Sequence, residues 1–364
     1  MEMIYLDYNG TAPLRPQVRG FVESYQHIAG NASSVHALGR KARSVVENAR
    51  ENVAALANAL PENMVFNSGA TEANNTVIRF FAGKKIYASA IEHPSVLEAG
   101  ITGTIPVTRD GVVDLAALEK ILQDEKPALV SVMYVNNETG VIQPIEEIVK
   151  RCRAHDAKIH CDAVQAAGRI PLDIKKIGVD YLTLSAHKIG GLQGAGALII
   201  GMCRETPLLL NGGGQEKRRR AGTENVFAIG AFGVAAEAAK QGIEDFQKIA
   251  GLRDRLEAGL KDIAPSIIIH GINAPRVANT SFFSLPNISS ETQLIAMDLA
   301  RLCVSNGSAC SSGTVKSSYV LEAMGCSKDV ASSALRVSLG WESTEEDIEK
   351  FLAAYAKFAQ RIAA

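Results

Sequence analysis

The stretch Ser185-Ala186-His187-Lys188-Ile189-Gly190-Gly191 follows an apolar run, Tyr181-Leu182-Thr183-Leu184, and opens a glycine-rich turn. The apolar run predicts a buried strand, and the glycines allow other backbone segments to approach closely. At such a strand end Lys188 could lose its proton readily, because burial disfavours the ammonium form. A neutral amine forms a Schiff base with an aldehyde cofactor, although this stretch taken alone also fits an ordinary surface lysine.

Short apolar runs of the same kind alternate with helical patterns between about residues 33 and 240. The candidate strands are 64–66, 85–88, 128–133, 158–161, 181–184 and 197–200. This alternation predicts an α/β domain with a mostly parallel sheet that helices cover on both faces. Beyond residue 240 the pattern changes to a long charged helix over 243–263, short strands and a closing helix from Thr344, which predicts a smaller α+β domain.

Composition and charge exclude several classes of partner. The chain has 364 residues, and its 38 basic and 39 acidic side chains leave a formal charge of −1. That balance gives no electrostatic reason to expect nucleic acid, and the run Lys217-Arg218-Arg219-Arg220 also fits a solvated loop. No stretch approaches the roughly 20 apolar residues that span a bilayer, so we expect no membrane, and the N-terminus has no signal-peptide pattern.

Six cysteines are scattered through the chain without a CxxC pair: Cys152, Cys161, Cys203, Cys303, Cys310 and Cys326. This spacing favours reduced thiols in a cytoplasm over a disulfide framework or a metal site. Cys310 stands apart because the residues around it, 304–313, are almost all small. Such a loop suits a nucleophile that must move between two places, although a surface linker with an incidental thiol fits this segment equally.

Polar groups stand at the ends of other predicted strands. Asp162 follows 158–161, where α/β sheets bind ligands, and could pair with a protonated pyridine nitrogen; a helix N-cap is the alternative. The turn 69–71 could present N–H groups to a phosphate, although a capping box also fits. His93 could lie over a flat ring, and Asn137 could reach a phenolic oxygen, with a structural histidine and a plain turn as alternatives.

Together these motifs resemble cysteine desulfurases of the NifS/IscS-like kind, within the class V aminotransferases of pyridoxal-phosphate (PLP) fold type I. The likeness extends from Tyr5-Leu6-Asp7-Tyr8-Asn9 to 333–340, and the order and spacing of the motifs carry it. It implies a large α/β domain, 15–243, with a mostly parallel seven-stranded sheet flanked by helices. A smaller α+β domain, 1–14 and 244–364, would carry the cysteine loop. PLP as the cofactor and a homodimer are also implied.

The resemblance implies a role for each matching residue. Lys188 matches the lysine that binds the cofactor aldehyde, Asp162 the partner of the pyridine nitrogen, and His93 the imidazole stacked on the ring. The residues that match contacts to the phenolic oxygen are Asn137 and Gln165. Those that match phosphate ligands are Ala70, Thr71, Ser185, His187 and, for the neighbouring subunit's cofactor, Thr223. The residues that match holders of the substrate carboxylate are Arg336 and Asn31.

The implied activity is removal of sulfur from L-cysteine. Lys188 would move the α-proton, and the Cys310 thiolate, formed with help from His93 or the cofactor environment, would attack the substrate sulfur. L-alanine would leave, and the persulfide on Cys310 would pass to an acceptor such as an iron–sulfur scaffold. The alternatives are a class V aminotransferase, a selenocysteine lyase, and a non-catalytic interaction protein on the same fold.

Overall fold

The computed structural model describes residues 3–27, 29–203, 205–307 and 317–363. Its strands are β1 (Ile4–Tyr5), β2 (Met64–Asn67), β3 (Ile86–Ser89), β4 (Gly103–Ile105), β5 (Leu129–Ser131), β6 (Lys158–Asp162), β7 (Tyr181–Ser185), β8 (Gly196–Ile200), β9 (Ile268–Ile269), β10 (Thr280–Ser284), β11 (Leu302–Cys303) and β12 (Ala334–Ser338). Its helices are α1 (Pro16–Tyr25), α2 (Ala37–Leu56), α3 (Ala70–Phe80), α4 (Pro94–Leu97), α5 (Leu115–Glu125), α6 (Ile145–Ala154), α7 (Ile174–Ile177), α8 (Gln215–Arg218), α9 (Val226–Gln241), α10 (Ile243–Lys248), α11 (Ala250–Ile263), α12 (Ser290–Leu299), α13 (Tyr319–Ala323), α14 (Lys328–Ser332) and α15 (Glu345–Ala363). Two single turns of 3₁₀ helix are Pro61–Asn63 and Ala186–Lys188.

Seven strands form the central sheet in the order β2-β8-β7-β6-β5-β3-β4. All neighbours pair in parallel except β8, which runs antiparallel to both β2 and β7. Strands β7 and β8 are buried along their whole length, as expected where both faces of a sheet are covered. The predicted α/β fold with a mostly parallel, seven-stranded sheet is therefore confirmed.

Side chains on the two faces of this sheet enter different cores. On one face Leu182 and Leu184 of β7 belong to a core that includes buried residues of α2 and α9. On the other face Tyr181 of β7 and Leu198 of β8 pack with Val77 of α3. Because successive side chains of a strand alternate between the faces, one buried strand holds helices on both sides of the sheet. Because helices cover both faces of the sheet, the ends of the strands are the places left for a binding site.

A second, antiparallel sheet of three strands, in the order β12-β10-β9, lies in the C-terminal third of the chain. Its core includes Phe283, Val337 and Phe351, which are fully buried. Leu6 belongs to the same core, and β1 pairs in parallel with β11. The first residues of the chain therefore pack with the last third, while the domain limits at residues 14 and 243 stay predictions.

The charged helix expected over 243–263 consists of two helices, α10 and α11, which meet at Ile249. Ile249 N donates to Phe246 O rather than to Asp245 O, so the last turn of α10 tightens and the helix ends there. In the described ranges, none of the helices has both the length and the hydrophobicity needed to span a bilayer. Helix α9 reaches that length and hydrophobicity only together with α10 and α11, from which it is bent by 63°.

Candidate active site

A cavity of about 490 Å³ opens where strands of the central sheet end. Its lining comes from the turn before α3, the end of β6, the 3₁₀ turn after β7 and the segment after β1. The carboxyl ends of neighbouring parallel strands open at one edge of an α/β sheet, which is why residues distant in sequence meet here. The predicted site residues that line it are Ala70, Thr71, His93, Asn137, Asp162, Gln165, Ser185, His187, Lys188 and Arg336.

Lys188 is the last residue of the 3₁₀ turn that follows β7. Its Nζ donates hydrogen bonds to the backbone oxygens of Asn9 and Gly10, both at 2.6 Å. These two carbonyl groups hold the amine in the cavity wall. An aldehyde group of a bound ligand could reach it there.

Asp162 is the last residue of β6 and is 6% exposed. Its Oδ2 accepts a hydrogen bond from Asn74 Nδ2 at 2.8 Å, and its Oδ1 accepts one from Val164 N at 3.0 Å. Because β6 and β7 are parallel neighbours, Asp162 and Lys188 reach the same cavity. The carboxylate and the amine therefore gather at one edge of the sheet, as the predicted site requires.

His93 lies at the N-terminus of α4, and its ring is fixed by Ser95. Nδ1 accepts a hydrogen bond from Ser95 N at 3.1 Å and lies 2.8 Å from Ser95 Oγ. With Nδ1 used as an acceptor, the neutral ring carries its proton on Nε2, a tautomer inferred from the bonding. Burial lowers the pKa of His93, and the opposing effect of Asp162 is smaller. A neutral imidazole in this wall can stack on a flat ring and accept a proton.

The N-terminus of α3 forms another part of the wall. Gly69 precedes the helix with a φ of +150°, and no side chain caps the first turn. A Cβ atom on Gly196 would lie 2.6 Å from Gly69 Cα, so β8 packs directly against this turn. Ala70 and Thr71 open the helix, where N–H groups lack intrahelical partners and suit a phosphate.

Ser185 and His187 line the cavity together with that helix terminus and Lys188. Ser185 ends β7 and is 3% exposed, and His187 Nδ1 lies 3.1 Å from Thr11 Oγ1. Burial, followed by the charge of Lys188, lowers the pKa of His187 to about 4. The ring is therefore neutral near pH 7. A hydroxyl group and a neutral imidazole can both donate hydrogen bonds to phosphate oxygens.

Two amide side chains in the wall each have a buried oxygen without a hydrogen-bond partner among the described residues, Asn137 Oδ1 and Gln165 Oε1. An unpaired buried polar atom costs about 1–3 kcal/mol, so these atoms indicate a polar ligand. The oxygen and nitrogen of an amide are assigned from the bonding, so either atom could face that ligand. The residues present therefore fit a phosphorylated pyridine aldehyde.

Arg336 in β12 is 2% exposed and closes the side of the cavity toward the second sheet. Its Nη2 donates to Asp7 Oδ1 at 2.7 Å, and its Nη1 donates to Asn137 O at 2.9 Å. Its Nε is buried and has no hydrogen-bond partner in the described part of the chain. The guanidinium group is thus fixed in the wall, and its role toward a substrate carboxylate stays a prediction.

Three predicted residues fall outside this group. Asn31 is exposed, its Oδ1 accepts from Ser33 N at 2.8 Å, and it is not among the described residues that line the cavity. Thr223 is exposed at a neighbouring depression of about 200 Å³, which shares Ser68 with the cavity. Cys310 lies outside the described residues, but Gly307, three positions before it, lines the cavity.

Two polar residues that organise the site were missed by sequence reasoning. The backbone oxygen of Asn9 accepts from Lys188 Nζ and, at 3.1 Å, from Gln165 Nε2. Asn74 holds Asp162 from the side of α3. A signal existed for Asn74, because it follows Ala70 by four residues and so shares a helix face with it. No such signal existed for Asn9, whose partners are distant in the sequence.

A lysine and an aspartate at the ends of neighbouring parallel strands, with a helix N-terminus beside them, form the arrangement that the resemblance to PLP fold type I proteins implies. Among the described residues no group of three or more His, Cys, Asp or Glu side chains could hold a metal ion. A family model described as Aminotransferase class-V matches residues 4–351. The chain belongs to this family.

Within the family, the chain is similar over its full length to curated cysteine desulfurases. Cysteine desulfurase IscS of Dictyoglomus turgidum is 36% identical, with 99% of this chain and 95% of the relative covered. Cysteine desulfurase of Nostoc sp. is 40% identical, with 100% and 94% covered. The X-ray structure of a NifS-like protein from Rickettsia africae matches with a TM-score of 0.93 at 38% identity, covering 99% of this chain and 100% of that one. The predicted family and fold type are confirmed.

Proposed function

We propose that this protein is a PLP-dependent cysteine desulfurase that takes sulfur from L-cysteine and releases L-alanine. The observation that carries the proposal is a single cavity bounded by Lys188, Asp162, the N-terminus of α3 and Gly307. Gly307 precedes Cys310 by three positions, so the cofactor site borders the segment that carries the nucleophile. Full-length similarity to curated cysteine desulfurases supports the same activity.

The cavity walls supply contacts for each part of the cofactor. Lys188 would bind its aldehyde group, and Asp162 would pair with its ring nitrogen. The phosphate would be held by Ala70, Thr71, Ser185 and His187. The ring face and the phenolic oxygen would be contacted by His93, Asn137 and Gln165. Bound there, PLP supplies an electron sink for the bonds that break on the substrate carbons.

The chain's own groups then move the proton and the sulfur. Arg336, whose Nε has no hydrogen-bond partner among the described residues, binds the substrate carboxylate, and Lys188 Nζ moves the α-proton. The Cys310 thiolate attacks the substrate sulfur: a sulfur–sulfur bond forms, the carbon–sulfur bond breaks, and its electron pair passes to the substrate carbon. That carbon takes up a proton and leaves as part of L-alanine. The sulfur remains on Cys310 as a persulfide.

The proposed assembly is a homodimer that passes sulfur to an acceptor such as an iron–sulfur scaffold. Thr223 would reach the phosphate of the neighbouring subunit's cofactor. Its segment is tied to the start of α3, because Arg220 Nε donates to Glu72 Oε1 at 2.9 Å. The described cysteines are free, which fits the cytoplasm as the proposed compartment, since persulfide chemistry needs reduced thiols.

The proposal is tested by measuring L-alanine formation from L-cysteine in the wild-type protein, Cys310→Ala and the control Cys303→Ala. Cys303 lies in β11, is partly buried and does not line the cavity. We expect Cys310→Ala to lose at least about a hundredfold in rate, as is usual when a nucleophile is removed, and Cys303→Ala to keep most of it. Equal rates in all three proteins would overturn the assignment of Cys310.

The alternative functions give different results in the same assays. An aminotransferase would turn over amino acids without needing Cys310, and a selenocysteine lyase would prefer L-selenocysteine to L-cysteine. A non-catalytic protein on this fold would give no borohydride-stable adduct on Lys188 after incubation with PLP. We expect that adduct to form, and to be absent from Lys188→Ala.

A further inference from the structure

Glu138 is a buried carboxyl group that the proposed chemistry does not use. It lies in the turn between β5 and α6 and is 1% exposed. Asn136 Oδ1 fixes this turn, because it accepts hydrogen bonds from Glu138 N at 3.0 Å and from Thr139 N at 2.9 Å. Asn137, next to it in the chain, lines the cavity. The carboxyl group is therefore held on a rigid support beside the candidate active site.

One side of the Glu138 carboxyl group contacts residues from both ends of the segment that carries Cys310. Ser318 Oγ donates a hydrogen bond to Glu138 Oε2 at 2.5 Å. A Cβ atom on Gly307 would lie 2.9 Å from the same oxygen, so the Gly307 backbone packs directly against it. Gly307 and Ser318 thus meet at one oxygen atom, although eleven positions separate them in the sequence.

Both of these contacts are anchored in the surrounding structure. Ser318 Oγ also accepts from Leu321 N at 3.1 Å and so caps α13. Gly307 N donates to Ser305 Oγ at 3.2 Å, and the Ser305 backbone is paired with β12 at Arg336. Glu138 therefore connects the start of α13 with residues 305–307, which pair with β12 through Ser305. Both of these segments are held in place by their own hydrogen bonds.

A contribution to stability does not explain a carboxyl group at this position. Burial raises the pKa of Glu138 to about 7. The Ser318 hydrogen bond and the charge of Arg336 both lower this pKa, but by less than burial raises it. Its Oε1 is buried without a hydrogen-bond partner in the described ranges. Arg336, whose charge lowers this pKa, forms its ion pair with Asp7 Oδ1 instead. An apolar side chain would be less costly to bury, so the acceptor at Oε2 must have another use.

We propose that Glu138 is a positioning residue for the sulfur transfer: by holding Gly307 and Ser318 against one oxygen, it sets the separation of the two ends of the segment that carries Cys310. This inference rests on the proposed desulfurase function. It assigns Glu138 no contact with the substrate or the cofactor. The group acts only through the segment that it holds.

The test compares Glu138→Ala, Glu138→Gln and Ser318→Ala as PLP-loaded full-length proteins. We expect Glu138→Ala and Ser318→Ala to lower kcat for L-alanine formation by about tenfold or more, because a misplacement of about 1 Å is costly in catalysis. The KM for L-cysteine and the PLP content should stay near the wild-type values. Glu138→Gln should recover most of kcat, since its amide oxygen can accept from Ser318.

The matched control is Ser327→Ala, which removes a serine cap from α14 just as Ser318→Ala removes one from α13. Ser327 does not contact Glu138, so its replacement should leave kcat unchanged. If Glu138→Ala does not fold, the comparison of kcat between Ser318→Ala and Ser327→Ala still tests the inference. Equal kcat values for that pair, or a loss in Glu138→Gln as large as in Glu138→Ala, would overturn the inference. Failure of the wild-type protein to release L-alanine would instead overturn the proposed function.

Discussion

At the scale of single residues, the site depends on how Asp162 is held. Its two oxygens accept from a side-chain amide of α3 and from the backbone at Val164, so the carboxylate has one fixed orientation in the cavity wall. A carboxylate that must pair with a ring nitrogen gains from such fixing, because no reorientation is needed when the ligand binds. We therefore expect Asn74, which supplies the amide, to act as a positioning residue.

Replacing Asn74 by Ala should lower kcat for L-alanine formation by about tenfold, because a hydrogen bond to a charged group contributes about 1.5–3 kcal/mol. The control is Asn75→Ala, because Asn75 Nδ2 donates to Ser95 O and not to Asp162. Steady-state kinetics of the two variants, with PLP absorbance as a measure of loading, checks this. Equal kcat values in both variants would show that the Asn74 contact does not matter.

The stability of the protein should depend on pH through Glu138. Its pKa is raised by burial to about 7, so the protonated form is favoured in the folded state. The stabilisation that comes from protonated Glu138 is fully present below the usual glutamate pKa and is lost as pH rises through about 7. Between pH 5 and 8 the wild type should therefore lose on the order of 1–3 kcal/mol of unfolding free energy relative to Glu138→Gln. Denaturant unfolding at both pH values measures the difference; a constant difference would contradict the raised pKa.

At the scale of elements, the close approach of β8 to the turn before α3 sets the position of the α3 N-terminus, the proposed phosphate site. A Cβ atom at position 196 would lie 2.6 Å from Gly69 Cα, and Gly69 itself has a φ of +150°, which favours glycine. The N-terminus of α3 can come this close to β8 because position 196 is a glycine. A side chain at Gly196 would push α3 outward, whereas a Cβ atom on Gly69 would meet nothing within 4 Å and would only strain the backbone.

Gly196→Ala should lower the affinity for PLP by about tenfold, since overpacking of this kind costs about 1–3 kcal/mol. The control is Gly20→Ala in α1, where an added Cβ meets nothing within 4 Å. That variant should keep its PLP affinity and gain about 0.5–1 kcal/mol of stability from helix propensity. Equilibrium dialysis gives the affinities. An unchanged PLP affinity in Gly196→Ala would mean that the turn before α3 can move to accommodate the added methyl group.

The elements also show what the sequence can predict. Alternating apolar runs predicted the inner strands, because a strand covered on both faces is apolar throughout, and strand-end positions then predicted Asp162 and Lys188. The reversed direction of β8 leaves no mark in its apolar pattern. Two-residue strands such as β1 are too short for a periodic signal. Contacts such as Glu138 with Ser318 join distant segments, so no local pattern records them.

At the scale of the whole molecule, Asn9 links the central sheet to the second sheet. Its Oδ1 accepts from Arg169 Nη1 at 2.7 Å and from Asn279 Nδ2 at 3.1 Å, and its Nδ2 donates to Thr280 Oγ1 at 3.0 Å. Arg169 follows β6, whereas Thr280 begins β10. One side chain therefore ties the N-terminal segment to both sheets, beside Lys188.

Asn9→Ala should lower the free energy of unfolding by about 2–4 kcal/mol, because several buried polar groups lose their partner at once. The exposed Asn273, which contacts Asp110, is the control, and Asn273→Ala should stay within about 0.5 kcal/mol of the wild type. Denaturant unfolding of both variants checks the difference. A similar small loss in both would show that the two sheets are held together without Asn9.

Sulfur transfer to Cys310 is tested most directly by a single turnover of PLP-loaded protein with less than one equivalent of L-cysteine and no added reductant. We expect one L-alanine released for each cysteine consumed and one sulfur atom retained on the peptide that contains Cys310, found by mass spectrometry after alkylation. L-alanine without sulfur on that peptide, or sulfur on another cysteine, would contradict it.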